Sequence, residues 1–376
     1  MSKLRLSAVG DILFGINLND WSDPGFLALA NRMRKADISF GNLEVPLVES
    51  GNPIPKIDIA RADVSMADEI EKMGLDVLSL ANNHIMDYGL GGLISTRKAL
   101  RERKLKFAGA SLTSQGAFAP LYWKVKNRRV ALVAFHCWYH PLWEDYPEPV
   151  RSDVHKPGAA VVQAYRVRIP SDGSVLECPD ERYLELLLAS VARARKHADI
   201  VLVSMHTHFG FRAPLEVAPT RRAWTHWLVD AGADLILGHG PHAINGVESY
   251  KGRFIVHSMG NFIFNIPLGI ELLIPESRPF VSRLAAEDQF WQGFLTEATF
   301  TDGPPTSLRA IPYEIVRRRD HPHQGMPQVA RGELLRQIAE RIVHDSQGMG
   351  VKVEIQGDSV CIRPLDLRAG MSPAGG

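Results

Sequence analysis

Asn83, His84 and Asp87 put an amide, an imidazole and a carboxylate into one short stretch, 81–89 (ANNHIMDYG). An amide oxygen can ligate a cation, an imidazole can move a proton, and a carboxylate three residues on can orient that imidazole. A loop that only had to turn would more cheaply use Gly, Pro or Ser. Taken alone, a turn at Asn83 and a helix cap at Asp87 account for the stretch. What sets it apart is that four other places along the chain end a strand-like run with the same kind of side chain. Gly10-Asp11 follows an apolar run, Asn42-Leu43-Glu44 follows Ile38-Ser39-Phe40, His206-Thr207-His208 follows 199–205, and Gly238-His239-Gly240-Pro241-His242 follows 234–237. In the last of these the glycines let the backbone turn sharply and the proline stiffens it, so two imidazoles three residues apart can converge on one point.

Asp11, Glu44, Asn83, His206 or His208, His239 and His242 are all oxygen and nitrogen donors. With no thiolate among them, a structural zinc site and an iron–sulfur site are excluded. The set is too large for one closed tetrahedral ion and suits two divalent ions about 3.5–4 Å apart with one carboxylate bridging. His206 and His208 are read as pointing to opposite sides of an extended chain, so that one of them faces the site. The spacing leaves open which of the two it is. His84 is the candidate proton donor to a leaving group, oriented by Asp87. Asn42, His136, His140, Arg212 and Asn261 are expected to face the substrate, with the aromatic run Trp138-Tyr139 forming a wall or packing on the core.

These residues need strands to hold them, and apolar runs supply them at 4–9, 36–40, 75–80, 105–108, 121–125, 130–135, 199–205, 234–237 and 254–257. Helices are expected at 26–35, 61–73, 89–103, 183–197 and 220–231 between them. In open α/β sheets ligands bind at the carboxyl ends of the strands. Residues 45–60 are expected to form a surface loop near the site mouth, 141–180 an irregular or β insertion, and 265–289 a loop covering the site. Strands at 291–300 and 308–316 return to the sheet. A catalytic domain is expected over 1–320. Residues 321–376 form an extension, with a helix at 332–345, a hairpin at 351–362 and a terminal tail.

The 376 residues carry 43 basic and 42 acidic side chains, for a net charge of +1, and are 45% hydrophobic. That balance gives no support to a nucleic-acid or membrane-surface binder. Three cysteines without a CxxC pattern argue against a disulfide framework. The N-terminal apolar run is too short for a signal peptide or a membrane span. A cytoplasmic protein acting on a small anionic molecule is expected. Its oligomeric state is left open.

The motifs GDILFG, NLEVPL, ANNHIMDYG, the strand-ending His pair, GHGPH and HSMGNFIF resemble, in that order, the signature of the CapA family, over roughly residues 3–265 with a β return to about 317. These proteins are associated with capsule and poly-γ-glutamate synthesis and belong to the calcineurin-like metallophosphoesterases. The resemblance implies an α/β fold, a four-layer α/β/β/α sandwich, here with a small C-terminal α+β extension, and two metal ions, usually Mn, Fe or Zn. It implies that Asp11 and His242 bind the first ion, that Glu44 bridges, that Asn83, His239 and one of His206 and His208 bind the second, and that His84 is the acid. Where the phosphoesterases begin with Asp-x-His, this chain has Asp11-Ile12-Leu13, and Glu44 replaces the usual bridging Asp.

The first functional expectation is a dinuclear metal-dependent hydrolase of a small phosphate ester or related anionic metabolite. The alternative is metal-dependent amide chemistry, ligation or hydrolysis, on a glutamyl- or peptide-like substrate. No GxxxxGK[ST] loop is present to hold a nucleotide for ligation. The third is a non-catalytic accessory protein retaining the fold.

Overall fold

The computed structural model describes residues 3–14, 22–54, 59–139, 158–168, 175–208, 217–265, 285–318 and 321–365. His140, Arg212, the tail, and most of the segments 141–180 and 265–289 lie outside them.

Strand β1 (Leu4–Leu13) is buried along almost its whole length, because it has strand neighbours on both edges and packed layers on both faces. β2 (Ile38–Leu43), β3 (Val77–Ser79) and β4 (Lys106–Ala108) follow it in parallel order across one half of the first sheet. The chain then crosses to a second sheet. β5 (Leu121–Val125) and β6 (Arg128–Tyr139) form a hairpin. β7 (Val161–Arg168) lies parallel to β6 and turns back through β8 (Val175–Pro179). β9 (Ile200–Thr207) and β10 (Leu235–His239) add in parallel on the other side of β6. β11 (Ile244–Tyr250) and β12 (Arg253–Met259) close that edge, in the order β11-β12-β10-β9-β6-β7-β8.

The chain then returns to the first sheet. β13 (Asn261–Phe264) pairs with the end of β1, while β14 (Gln292–Phe300) and β15 (Leu308–Ile315) extend it antiparallel. β16 (Pro327–Val329) pairs with β15. The hairpin β17 (Val351–Gln356) and β18 (Ser359–Pro364) continues the same sheet through β15.

Helices α1 (Pro24–Lys35), α2 (Met66–Met73) and α3 (Gly89–Glu102) cover the outer face of the first sheet. There Phe26, Leu29, Met33, Ile70, Met73 and Leu93 meet Val9, Ile12 and Leu78. α4 (Ser114–Phe118), α5 (Glu181–His197) and α6 (Pro219–Asp230) do the same for the second sheet, where Phe118, Leu187, Val191, Trp224 and Leu228 meet Val133, Val203 and Ile236. Between the sheets lies a third core, in which Leu6, Phe40 and Val77 face Leu132, Leu202, Leu237 and Val256. The result is the four-layer α/β/β/α arrangement of a metallophosphoesterase-like fold. α7 (Gly332–Asp345) inserts Leu335, Ile338 and Ile342 into the inter-sheet core beside β11, β15 and β17. Among the described residues no helix is long and apolar enough to cross a membrane.

Local chemistry sets the helix limits. The Asp23 carboxylate accepts from the Phe26 amide at 2.7 Å with Pro24 in the first turn, and α2 ends at Gly74 with φ +90°. The helix expected over 61–73 begins instead at Met66. Ala62 bridges to Leu47 in extended form, and the Asp63 carboxylate accepts from the Ser65 amide and hydroxyl at 2.9 and 2.7 Å, a local turn that competes with helix. The expected surface loop at 45–60 is partly interior: Val45, Leu47, Val48, Ile59 and Ala60 are buried, and Val45, Leu47 and Ala60 join the core under the helices.

Candidate metal centre

The strand ends bring donors from both sheets to one place. Asp11, Glu44 and Asn83 leave β1, β2 and β3, while His206, His208, His239 and His242 leave β9 and β10. Asp11 stands at a register break between β1 and β2, the kind of irregularity that re-aims a side chain. Gly10 makes this possible. A Cβ there would sit 1.8 Å from the Gly260 carbonyl oxygen, which accepts from the Asp11 amide at 3.1 Å.

Asp11, Glu44, His206 and His239 are fully buried. Asp11 Oδ1 is 3.5 Å from His239 Nδ1 and 3.8 Å from His206 Nδ1, and its Oδ2 is 3.6 Å from His242 Nδ1. Glu44 Oε1 lies 3.4 Å from His206 Nε2 and 3.7 Å from His242 Nε2, between the two rings. Asn83 Oδ1 is 3.0 Å from His206 Nε2, and His208 Nε2 is 2.9 Å from that same nitrogen. Three sets, Asp11/His206/His239, Glu44/His206/His208 and Asp11/Glu44/His242, each bring their ligand atoms within 4.8 Å of one another. The donor chemistry fits divalent cations. Imidazole nitrogens face each other at 2.9 Å in two places, His206 with His239 and His206 with His208. In neutral rings each such pair turns at least one lone pair inward, and a cation between them takes up that lone pair together with the carboxylate charge.

Burial pushes the Asp11 carboxyl up from its ordinary range, against the lowering influence of His242, Asn42 and the Gly240 amide. It pushes His206 and His239 well below the usual imidazole range, and neighbouring imidazoles push the same way. At neutral pH these rings are therefore uncharged, the form that ligates a metal.

Partners behind the donors set which atoms face inward. Ser204 Oγ is 2.7 Å from His239 Nε2, which leaves Nδ1 for the centre. Asn261 donates to the Phe290 carbonyl at 3.0 Å, so its Oδ1 faces His242 Nδ1 at 2.8 Å and leaves His242 Nε2 toward Glu44. His242 holds a left-handed φ of +54°, a strain of the sort that clusters at functional sites. His84, nearly buried, has Nδ1 2.7 Å from Asp87 Oδ2, and the same carboxylate oxygen accepts from the Ala60 amide at 2.8 Å.

All seven expected metal ligands come together, and His84, next to Asn83 in the chain, pairs with Asp87. The expectation that only one of His206 and His208 faces the site is corrected. Alternate residues of an extended chain share a face, and both rings point into the cluster, with centroids 4.7 Å apart. Asn42 and Asn261, expected at the substrate, are buried against Asp11 and His242 and hydrogen-bond to them. His136 is buried on β6 beside His206, with Nδ1 3.3 Å from the His206 carbonyl oxygen. His140 and Arg212 lie outside the described residues. Sequence reasoning missed Ser204 and Asn82. Ser204 stood out only as a hydroxyl inside an apolar strand, and Asn82 as the first half of an Asn pair.

The profile of the bacterial capsule synthesis protein PGA_cap matches residues 5–266. The chain is 25% identical to the uncharacterized protein y4sH of Sinorhizobium fredii over an alignment of 418 positions, which covers 93% of this chain and 90% of that one. It is 30% identical to the capsule biosynthesis protein CapA of Bacillus anthracis over 275 positions, covering 70% of this chain and 60% of CapA. It is 28% identical to the PGA biosynthesis protein CapA of Bacillus subtilis over 270 positions, covering 70% of this chain and 63% of the relative. Matched by that profile over more than half of its length, the chain belongs to the PGA_cap family of bacterial capsule synthesis proteins.

Proposed function

We propose that this protein is a metal-dependent hydrolase that cleaves an amide bond in a glutamyl-like, acidic substrate. The observation that carries the reading is His84, held by Asp87 at 2.7 Å and placed next to Asn83 at the edge of the donor cluster. Divalent ions held by Asp11, Glu44, Asn83 and the four imidazoles would polarise a substrate oxygen and lower the pKa of a bound water. The remaining work falls to the chain. The Asp87 carboxylate accepts from His84 Nδ1, so when His84 is an imidazolium its second proton sits on Nε2, the atom that would give it to the leaving nitrogen. An amide nitrogen cannot leave as an anion and must be protonated as its bond to carbon breaks, so a fixed acid is a requirement of this reaction. The relatives' names, which tie them to capsule and PGA biosynthesis, support an acidic amide polymer or a piece of one as substrate.

The second reading is a phosphate ester as substrate. The mixed carboxylate–imidazole donor set favours it, since such a centre clamps the oxygens of a transferring phosphoryl group equally well. The two readings separate in one assay. Mn²⁺-loaded protein is given a γ-glutamyl anilide and an aryl phosphate in parallel. Release of the aniline, abolished by chelation and by His84→Ala, is the expected result. Phosphate release alone would replace the first reading by the second, and turnover of neither substrate by fully loaded protein would leave an accessory role.

A further inference from the structure

The Asn82 side chain is 2% exposed, and hydrogen bonds occupy both ends of its amide. Its Oδ1 accepts from the backbone amides of His84 at 3.2 Å and Ile85 at 3.0 Å. An amide nitrogen could not face two N–H donors, so the orientation of the group is settled and its Nδ2 must point the other way. There it donates to the Leu43 carbonyl at 2.8 Å and to Asn42 Oδ1 at 3.2 Å. That in turn settles Asn42. With Oδ1 turned to Asn82, its Nδ2 points into the cluster, 2.8 Å from Asp11 Oδ1 and 3.2 Å from His206 Nδ1.

We propose that Asn82 is a positioning residue that sets the Asp11 carboxylate and the His84 loop relative to each other through an Asn82–Asn42–Asp11 relay. One amide ties the end of β2, which carries Asn42 and Glu44, to the loop after β3, which carries Asn83 and His84. Through it Asn42 becomes a hydrogen-bond donor to the centre and not a ligand. Each Asp11 oxygen then has one fixed donor, Asn42 on Oδ1 and the Gly240 amide on Oδ2 at 3.0 Å. The plane of the carboxylate is fixed, and its remaining lone pairs are directed at a cation. Asn82 therefore acts on metal affinity without touching the metal. The inference rests on the metal-centre reading and not on the identity of the substrate.

The test is Mn²⁺ binding by calorimetry to Asn82→Ala, Asn42→Ala and the double variant, with far-ultraviolet circular dichroism and melting temperature as the check on folding. Each single variant is expected to bind Mn²⁺ about 10–100-fold more weakly than wild type. The double variant is expected to be no weaker than the worse single one, because both substitutions cut the same relay. Should Asn82→Ala not fold, Asn82→Asp keeps the acceptor for the His84 and Ile85 amides, removes both N–H donors, and is expected to lose the same factor. Wild-type affinity in a folded Asn82 variant would overturn the proposal, and so would losses that multiply in the double variant. If wild type itself took up no Mn²⁺, the metal-centre reading would fail with it. Failure to hydrolyse a glutamyl anilide would touch only the substrate.

Discussion

His84 and Asp87 are one helical turn apart in sequence and form a buried imidazole–carboxylate contact, Nδ1 to Oδ2, of 2.7 Å. The contact occupies Nδ1 and leaves Nε2 as the ring nitrogen not held by Asp87. His84→Ala is therefore expected to reduce kcat by about 10²–10⁴-fold while metal content, measured by elemental analysis, stays at the wild-type level. Asp87→Asn is expected to reduce kcat less. Because Asp87 also takes the Ala60 amide, the melting temperature should fall by the equivalent of about 1 kcal/mol.

His206 touches more of the cluster than any other ring described there, lying against Asn83, His208, His239 and Glu44. His206→Ala should weaken Mn²⁺ binding beyond the roughly 10–100-fold expected for residues that only orient a ligand. His208→Ala, at the half-buried rim, should weaken it less. Metal at about 100 times its dissociation constant stabilises a fold by about 2.7 kcal/mol. A Mn²⁺-dependent rise in wild-type melting temperature, reversed by chelation and absent in His206→Ala, is the matching thermal readout.

Gly240 separates the two imidazoles of the GHGPH loop at φ +110°, and a Cβ there would come within 2.6 Å of the Thr207 carbonyl oxygen. Gly240→Ala is expected to destabilise the fold by about 1–3 kcal/mol. It should also shift His239 and His242 together, so Mn²⁺ affinity and thermal stability fall in the same variant. Unchanged affinity in a destabilised Gly240→Ala would show that the loop does not set the ligands.

Acid should lower stability in two pH windows through a second buried network, centred on Glu248. Glu248 meets His257 at 3.0 Å, His226 at 2.7 Å and Arg222 at 2.7 Å. Burial raises the Glu248 carboxyl, but these hydrogen bonds outweigh it and bring it down to about 2. Burial, aided by Arg221 and Arg222, lowers His257 to about 4 in spite of its bond to Glu248. The unfolded chain takes up a proton on His257 below about 6.5 and the folded one does not, so stability is full above that pH and falls toward pH 4. The Glu248 contribution is full above about 4.5 and falls as pH drops toward 2. Melting temperature followed from pH 8 to pH 3 should decline in both windows. Glu248→Gln should remove the lower one and cost about 1–3 kcal/mol, because the donors of His257, His226 and Arg222 lose their carboxylate acceptor.

Much of this architecture can be read from the order of residues because apolar strands and the side chains at their ends are local signals. Val201-Leu202-Val203 and Leu235-Ile236-Leu237 announce buried parallel strands, and the histidines that follow them are adjacent in sequence. β11 escaped notice because Asn245 and Glu248 interrupt its apolar pattern. Both are buried, held by Arg221 and by Arg222 with two histidines, partners that only the fold supplies. Asn82 and Ser204 were opaque for the same reason. Their meaning lies in Leu43, Asn42 and His239, each at least 35 residues away. The site itself was legible as a set of donors but not as a geometry. That both His206 and His208 turn inward follows from strand periodicity, which the sequence already carried; the expectation that they point to opposite sides applied that periodicity wrongly.

The carboxylates and the Asn83 amide come from one sheet and the imidazoles from the other. No ion can be gripped until the two halves of the sandwich have docked, and His242 is the last of the seven ligands to emerge during synthesis. Each candidate three-residue set draws on both sheets, so metal binding, where it occurs, would report on the docking of the two halves.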